Sequence, residues 1–592
     1  MFKVILLDAS FFPSLGLETL KKSLKENNIS CGILPLFVEE RNARRRLQTE
    51  FKTSKDYAPF FLEEARKHLN KERQELETAD YIGISFFADA ANSQMKVGLA
   101  KLVREMFPNK TIIGGGPGVD SYAKKFMREA TLDYALKGEA EKTLPQLIKL
   151  LDEKRFEEVR KIKGIVYRKN GRVNERKTNF LKKEEVEKLS LTSTRTYMNN
   201  NKDLMAIYTE RGCPHACVFC SVPRKENWAQ ISESTIINGL LEIAKNKDIA
   251  KIGFENDLMF ANKARAKRIL QKIIELKLNK RFKFSGMATV DSFLREGNVD
   301  LEFIKLIKKA NFTSVTMGTE SLSDNTLREI KAGRYSSAQA IKVADALREI
   351  GISGRNFMLA GGPETSVKDF LESFYRSTKR NFEGKSSYEE LSFFQVWGKN
   401  ALLTKATREG LIYTPKGRQI KNPAKTRVTT KLFIMPKDPT LRNFFLQLTK
   451  ENEEVVPKIY TPRVVNLAKS TLGITHPLTR KLMMLEAQMD AKQERTHAIQ
   501  ANIIGQMAEK KATKKYGEAT KQTVKKVMLN KNAWKKQAEK AKDYTNAFVA
   551  AEKKFAQLRG IQRLRTLKKI RQKTGLSVFA PRYWTTKTRK LP

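Results

Sequence analysis

Three of the four cysteines in this chain of 592 residues, Cys213, Cys217 and Cys220, stand together in the stretch RGCPHACVFCSVP. Thiolates spaced C-x3-C-x2-C on one loop can each hold one iron of a cubane cluster and leave the fourth iron open to a further ligand. Zinc is the rival reading, with His215 completing a Cys3His set. Structural zinc sites, however, bring ligand pairs from separate segments, and four ligands in one short loop make a poor tetrahedron. A purely structural role for the three thiols is a third reading. Cys31 lies far away and reads as a buried strand residue.

Such a loop needs a rigid support. Between about 203 and 425 strand-like and helix-like segments alternate, with strands expected at LMAIYTE, KIGFE, FKFSGMATV, TSVTMGTE, GRNFMLAGG and LSFFQVW. Six such units predict a central partial (β/α)6 TIM-type barrel, whose ligands gather at the carboxyl ends of the strands. The cysteines follow the first of these strands. Glu255 and Asp257 follow the second, Glu320 the fourth, and Gly361 and Gly362 the fifth. Taken alone, the acidic residues also fit helix caps or ion pairs, and Phe219 also fits simple packing of the loop.

The string CPHACVFC resembles the signature of radical S-adenosylmethionine (SAM) enzymes, with Phe219 as its aromatic position. GFENDLMF, MGTES, MLAGGPET and VWGKNALLTKATREGLI follow in the family's order, so the resemblance covers nearly all of 203 to 415. It implies a [4Fe-4S] cluster on Cys213, Cys217 and Cys220, with the open iron chelated by the methionine part of SAM. One electron then cleaves SAM to a 5′-deoxyadenosyl radical. The same resemblance implies Phe219 near the adenine, and Glu255 or Asp257 near the methionine amino group. It places Glu320 near the ribose or the methionine end, and Gly361 and Gly362 where the backbone meets the adenosine. An external electron donor such as a flavodoxin or ferredoxin is implied as partner.

Residues 1 to about 155 show a second alternation, predicting an α/β domain with a Rossmann-like parallel sheet and a helical insertion at about 38–78. A hairpin turning at Asn170-Gly171 and a linker occupy 156–202. PSLGLETLKKSLKENN, ADYIGISFF, IIGGGPGVD and DYALKGEAEKTLPQLI resemble the cobalamin-binding domain joined to many radical SAM enzymes. Ser85, Gly114, Gly115 and Gly116 are the corrin contacts this implies, and Glu139 and Glu141 are expected at the domain junction. The D-x-H-x-x-G motif that ligates cobalt is absent: Asp8 is followed by no histidine. With cobalamin, the implied reaction is methyl transfer to a substrate carbon. Without it, cyclisation, rearrangement or other C–H functionalisation is implied.

From 426 to 592 the chain predicts an α-helical basic extension. No proline occurs between Pro477 and Pro581, and about thirteen lysines and arginines follow the last acidic residue, Glu552. The tail RYWTTKTRKLP places Tyr583 and Trp584 where they could stack on nucleic-acid bases. An anionic membrane face and a solvated extension fit the same composition. A nucleic-acid-binding or scaffold protein with a degenerate core is thus the rival class, against which the intact cysteine triplet argues. The net charge of +48 favours an anionic substrate or partner. Four cysteines make no disulfide framework, and no apolar run reaches membrane-span length, so a cytoplasmic protein is expected.

Overall fold

The computed structural model describes residues 3–9, 14–36, 54–87, 90–189, 191, 193–196, 203–221, 228–385, 391–396, 398–451, 459 and 461–490. β1 (Val4–Asp8) reads VILLD and is buried at every position, as a strand covered on both faces must be. Its side chains alternate between two apolar layers: Ile5 and Leu7 pack with Ile82, Ile84 and Phe126, while Val4 and Leu6 pack with Ile113, Leu147 and Ile148. β2 (Cys31–Pro35), β3 (Tyr81–Ser85), β4 (Thr111–Gly115) and β5 (Tyr134–Leu136) join it in parallel, in the order β2-β1-β3-β4-β5. Winding reverses between β1 and β3, so a crevice opens beyond their carboxyl ends, at Asp8 and Ser85.

The hairpin of β6 (Ile165–Lys169) and β7 (Arg172–Glu175) turns through Asn170 and Gly171, at φ 51° and 72°. The sequence places it with the linker; the structure makes it the antiparallel edge of the first sheet, because Ile165 and Val166 are buried against β5. The second half of the expected insertion forms the helices Ser54–Lys71 and Arg73–Thr78, which bury Phe61, Leu69 and Leu76. Its first half lies outside the described residues.

The second sheet begins with β8 (Ser193–Thr196), antiparallel to β9 (Asp203–Ile207). A short hairpin, β10 (Glu210–Arg211) with β11 (Ala229–Gln230), follows. β12 (Ile249–Phe254) and β13 (Lys283–Ala288) come next, then a small hairpin of β14 (Leu294–Arg295) and β15 (Asn298–Val299), then β16 (Phe312–Glu320) and β17 (Ser353–Met358). The sheet order is β17-β16-β13-β12-β9-β8, with β9, β12, β13, β16 and β17 parallel. The expected sixth unit contributes a parallel bridge, Leu359 to Ser392, instead of a full strand.

Ladder register assigns the faces of this sheet. Phe254, Phe284 and Phe312 stack on the helix-covered face, with ring centroids 5.5–6.0 Å apart. Each such ring contributes about 1.5–3 kcal/mol by burial. On the opposite face, Gly253 pairs with Ser285, Ser285 with Ser314, Thr316 with Arg355, and Gly318 with Phe357. Small residues therefore dominate the middle of that face, and Phe357 is 39% exposed at its edge.

Residues 426 to 451, expected in the helical extension, instead belong with the second sheet's layers. Phe433 and Ile434 pair with Tyr413 and Ile412, and Phe445 packs edge-on against Phe370 and Phe393 at 5.2 and 4.7 Å. The aromatic content of LFIMP and RNFFLQL requires that burial. The chain divides into two units: one spans Met1–Asn381 and Lys385–Tyr460, the other takes Phe382–Gly384 and the chain from Thr461 on. In the second, the helix Thr461–Leu472 turns at Gly473, φ 83°, into a helix over 477–490, and the Thr479 hydroxyl donates to the Ala468 carbonyl. Tyr583, Trp584 and the basic tail lie outside the described residues. Among the described residues no helix is long and apolar enough to cross a membrane.

Candidate functional site

The three cysteines sit just beyond the carboxyl end of β9, each partly buried. Both flanks of their loop are tied to the protein. Upstream, Thr209 and Asn256 exchange hydrogen bonds of 2.8 and 2.6 Å. Buried Arg265 donates to the carbonyls of Thr209 and Ile231 at 3.2 and 2.9 Å. Glu210 accepts from the Leu258 amide, the Trp228 indole and the Gln230 amide, and burial pushes its carboxyl up to about 7. Arg211 crosses to the first sheet's side of the molecule and meets Glu141 at 2.8 Å.

Within the loop, the Cys220 amide donates to the Cys217 carbonyl at 3.1 Å, a tight turn. Downstream, Asn400 donates to the Phe219 carbonyl at 2.9 Å and to the Ser221 hydroxyl at 3.2 Å, while its own oxygen caps the helix Ala401–Arg408. The Leu402 amide donates to the Val218 carbonyl at 2.9 Å. A backbone bonded from so many elements holds its thiols in place before any ligand arrives.

Burial pushes the Cys213 thiol up to about 12, with Cys217, Cys220 and Asp257 close enough to add to the effect. An iron bound at the sulfur would displace that proton, since the thiolate is the ligand. Among the described residues no three His, Cys, Asp or Glu side chains converge on a single ion. A cubane makes no such demand, since each thiolate binds a separate iron. Three thiols on one loop are thus a donor set that fits a cluster.

The other expected SAM contacts divide. Asp257 stands near Cys213 and Tyr208, and burial raises its carboxyl. Glu255, also raised by burial, lies beside Gly253 on the open face of the sheet. Glu320 is buried in the left-handed region, φ 62°, and pairs with buried Lys331 at 3.2 Å. The Lys331 ammonium also lies 5.4 Å from the Phe219 ring, which packs on Phe394 at 5.7 Å. At Gly361, φ 143°, an added Cβ would meet Thr365 at 2.6 Å. At Gly362 it would meet the Glu329 carboxylate at 2.5 Å. Both glycines thus build the turn after β17.

In the first sheet, Gly114 makes room for Leu132 and Phe86, and Gly116, φ 90°, closes on Ser85 and Phe86. Gly115, at the carboxyl end of β4, is the least crowded of the three: an added Cβ would meet only the Leu136 carbonyl oxygen, at 4.0 Å. Glu139 accepts from the Leu181 amide at 2.7 Å, and Glu141 is the residue that reaches the cysteine loop. The helix Pro117–Glu129, which follows the glycine run, is itself gripped by the later chain. Tyr122 accepts from the Gly398 amide, Lys125 donates to the Pro423 carbonyl at 2.9 Å, and the Val428 amide donates to Glu129 at 3.1 Å. Arg265, Asn256, Asn400, Arg334 and Lys331 escaped sequence reasoning, because each meets the loop only through tertiary folding. Asn400 is 181 residues from Phe219 in sequence.

Residues 207–374 match the model of the Radical SAM superfamily. The chain is 26% identical over 308 residues to an uncharacterized methyltransferase of Pyrococcus horikoshii, covering 51% of this chain and 64% of the relative. It thus spans less than two thirds of that relative's length. Among solved structures, the radical S-adenosylmethionine methyltransferase TsrM from Kitasatospora setae, with cobalamin and a [4Fe-4S] cluster bound, superimposes with a TM-score of 0.58 at 15% identity. That match covers 83% of this chain and all of the other. The cobalamin-dependent S-adenosylmethionine radical enzyme OxsB, with aqua-cobalamin and S-adenosylmethionine bound, gives 0.57 at 17% identity, covering 97% of this chain and 84% of its own. At these identities the likeness establishes a shared fold.

Proposed function

We propose that this chain, which carries a radical SAM domain at residues 207–374, is a cobalamin-dependent methyltransferase acting on a substrate carbon. In this reading Cys213, Cys217 and Cys220 hold a [4Fe-4S] cluster, and the crevice beyond β1, β3 and β4 takes the corrin. The observation that supports it most is the clasp of Arg211 on Glu141. It ties the cysteine loop to the sheet whose winding reversal opens the crevice.

When bound there, the cluster would supply the electron for reductive cleavage of SAM, and cobalamin would supply the methyl group. The chain's own part is orientation and exclusion of water. Asp257 and Glu255 would receive the methionine ammonium, and Gly115 offers the corrin an open backbone edge. The face that carries Gly253, Ser285 and Gly318 would meet SAM and substrate, with the Glu255 carboxylate beside Gly253, Glu320 and Lys331 beside Gly318, and Phe357 at the rim. The net charge of +48 supports an anionic substrate or partner. A flavodoxin or ferredoxin would deliver the electron.

The test is an absorption spectrum after anaerobic iron–sulfide reconstitution with hydroxocobalamin and desalting. Cluster absorption with retained corrin bands is expected. Cluster absorption alone would remove methyl transfer and leave radical cyclisation or rearrangement. Neither band, in folded protein, would end the catalytic reading.

A further inference from the structure

Arg334 reaches the cysteine loop from a distant element. Its Nη2 lies 3.3 Å from the Cys217 Sγ, while its Nη1 lies 3.3 Å from Asp291. Asp291 in turn stands 3.6 Å from the His215 Nε2, inside the loop. The backbone fixes this approach. Ala332 and Gly333, at φ 55° and 66°, end the helix Asp324–Lys331 with a left-handed turn that swings Arg334 round. Next to it, the buried Tyr335 hydroxyl donates to the Gly318 and Thr319 carbonyls at 2.9 and 3.2 Å. Ser336 then caps the following helix.

We propose that Arg334 sets the reduction potential of a cluster bound to this loop, by donating a hydrogen bond to the Cys217 sulfur. The inference rests on the cluster reading above. A guanidinium keeps its charge at every accessible pH and offers only donors. A donor on a cluster thiolate draws electron density from it, and a nearby positive charge stabilises the reduced, more negative cluster. Both effects raise the potential. Asp291 holds the guanidinium in place and offsets part of its charge, so the directional N–H to sulfur contact carries most of the effect. Arg334 acts through Cys217 and is a positioning residue.

The experiment is an electron paramagnetic resonance redox titration of the reconstituted full chain, in wild type, Arg334→Gln and Arg334→Lys. SAM is left out, so no contact between Arg334 and the methionine carboxylate can contribute. The expected result is a lower midpoint in Arg334→Gln, with Arg334→Lys between it and wild type. Wild-type midpoints in both variants would overturn the assignment. If Arg334→Gln takes up no iron, Arg334→Lys decides alone: a lowered midpoint supports the role and an unchanged one overturns it. A wild-type protein with no cluster signal would sink the cluster reading itself, whereas a signal with an unmoved midpoint sinks only this assignment.

Discussion

The Arg211 guanidinium stands 2.8 Å from the Glu141 carboxylate, joining the strand that leads into the cysteine loop to the chain that follows β5. Glu141 is buried and Arg211 largely so. Removing one partner strands the other, and a hydrogen bond to a charged group is worth about 1.5–3 kcal/mol. Glu141→Ala is therefore expected to destabilise the chain by about 2 kcal/mol and to lower iron retained after reconstitution. Denaturant unfolding and iron analysis measure the two effects. Unchanged iron retention would show that the loop does not depend on the clasp.

Asn400 holds the loop and caps a helix with different atoms, so two substitutions separate the roles. Asn400→Ala loses both, with a capping cost of about 1 kcal/mol. Asn400→Asp keeps a capping oxygen but cannot donate to the Phe219 carbonyl. It should keep the capping contribution, lose about 1–3 kcal/mol where a carboxylate oxygen now faces the Phe219 carbonyl, and retain less iron than wild type.

Glu210 gives stability a pH dependence of defined sign. Burial lifts its carboxyl from 4.5 to about 7, so the folded chain binds a proton more tightly than the unfolded one. Its contribution is fully present below about 4.5 and is lost as pH rises through about 7, a swing on the order of 3 kcal/mol. Glu210→Gln cannot ionise and should flatten that part of the stability profile, measured by urea unfolding across pH 5 to 8. An equal slope in the variant would assign the dependence elsewhere.

Gly398 is pinched where the later chain passes between the helix Pro117–Glu129 and the cysteine loop. Its φ is 129°, and a Cβ there would meet Ser121 at 2.6 Å and Ser221 at 3.0 Å. Gly398→Ala combines backbone strain and overlap, and a loss of about 1–3 kcal/mol is expected. Thermal unfolding of the variant measures it.

The fold was largely written in local patterns. VILLD and YIGIS run apolar up to their last residues, Asp8 and Ser85, because both faces are covered, and Asn170-Gly171 marks its own turn. The cysteine loop was legible for the same reason, since all three thiols stand within one turn-rich segment. Its support was not. Arg265, Arg334 and Asn400 are polar residues in helix-forming or helix-capping contexts, where solvent exposure is the ordinary reading. Only the folded chain brings them to the Thr209, Cys217 and Phe219 atoms they bond. The glycines carry a second requirement that no local pattern shows: at Gly114, Gly116, Gly361 and Gly362, Leu132, Ser85, Thr365 and Glu329 stand where a Cβ would be.

In the proposed function Cys213, Cys217 and Cys220 hold a cluster with one iron free for SAM. The direct measurement is electron paramagnetic resonance of the reconstituted, reduced full chain, with and without SAM, beside a variant carrying all three cysteines as alanine. The expected result is a [4Fe-4S] signal in wild type that changes on adding SAM, and no such signal in the variant. A variant that keeps the signal, or a wild-type signal indifferent to SAM, would contradict it.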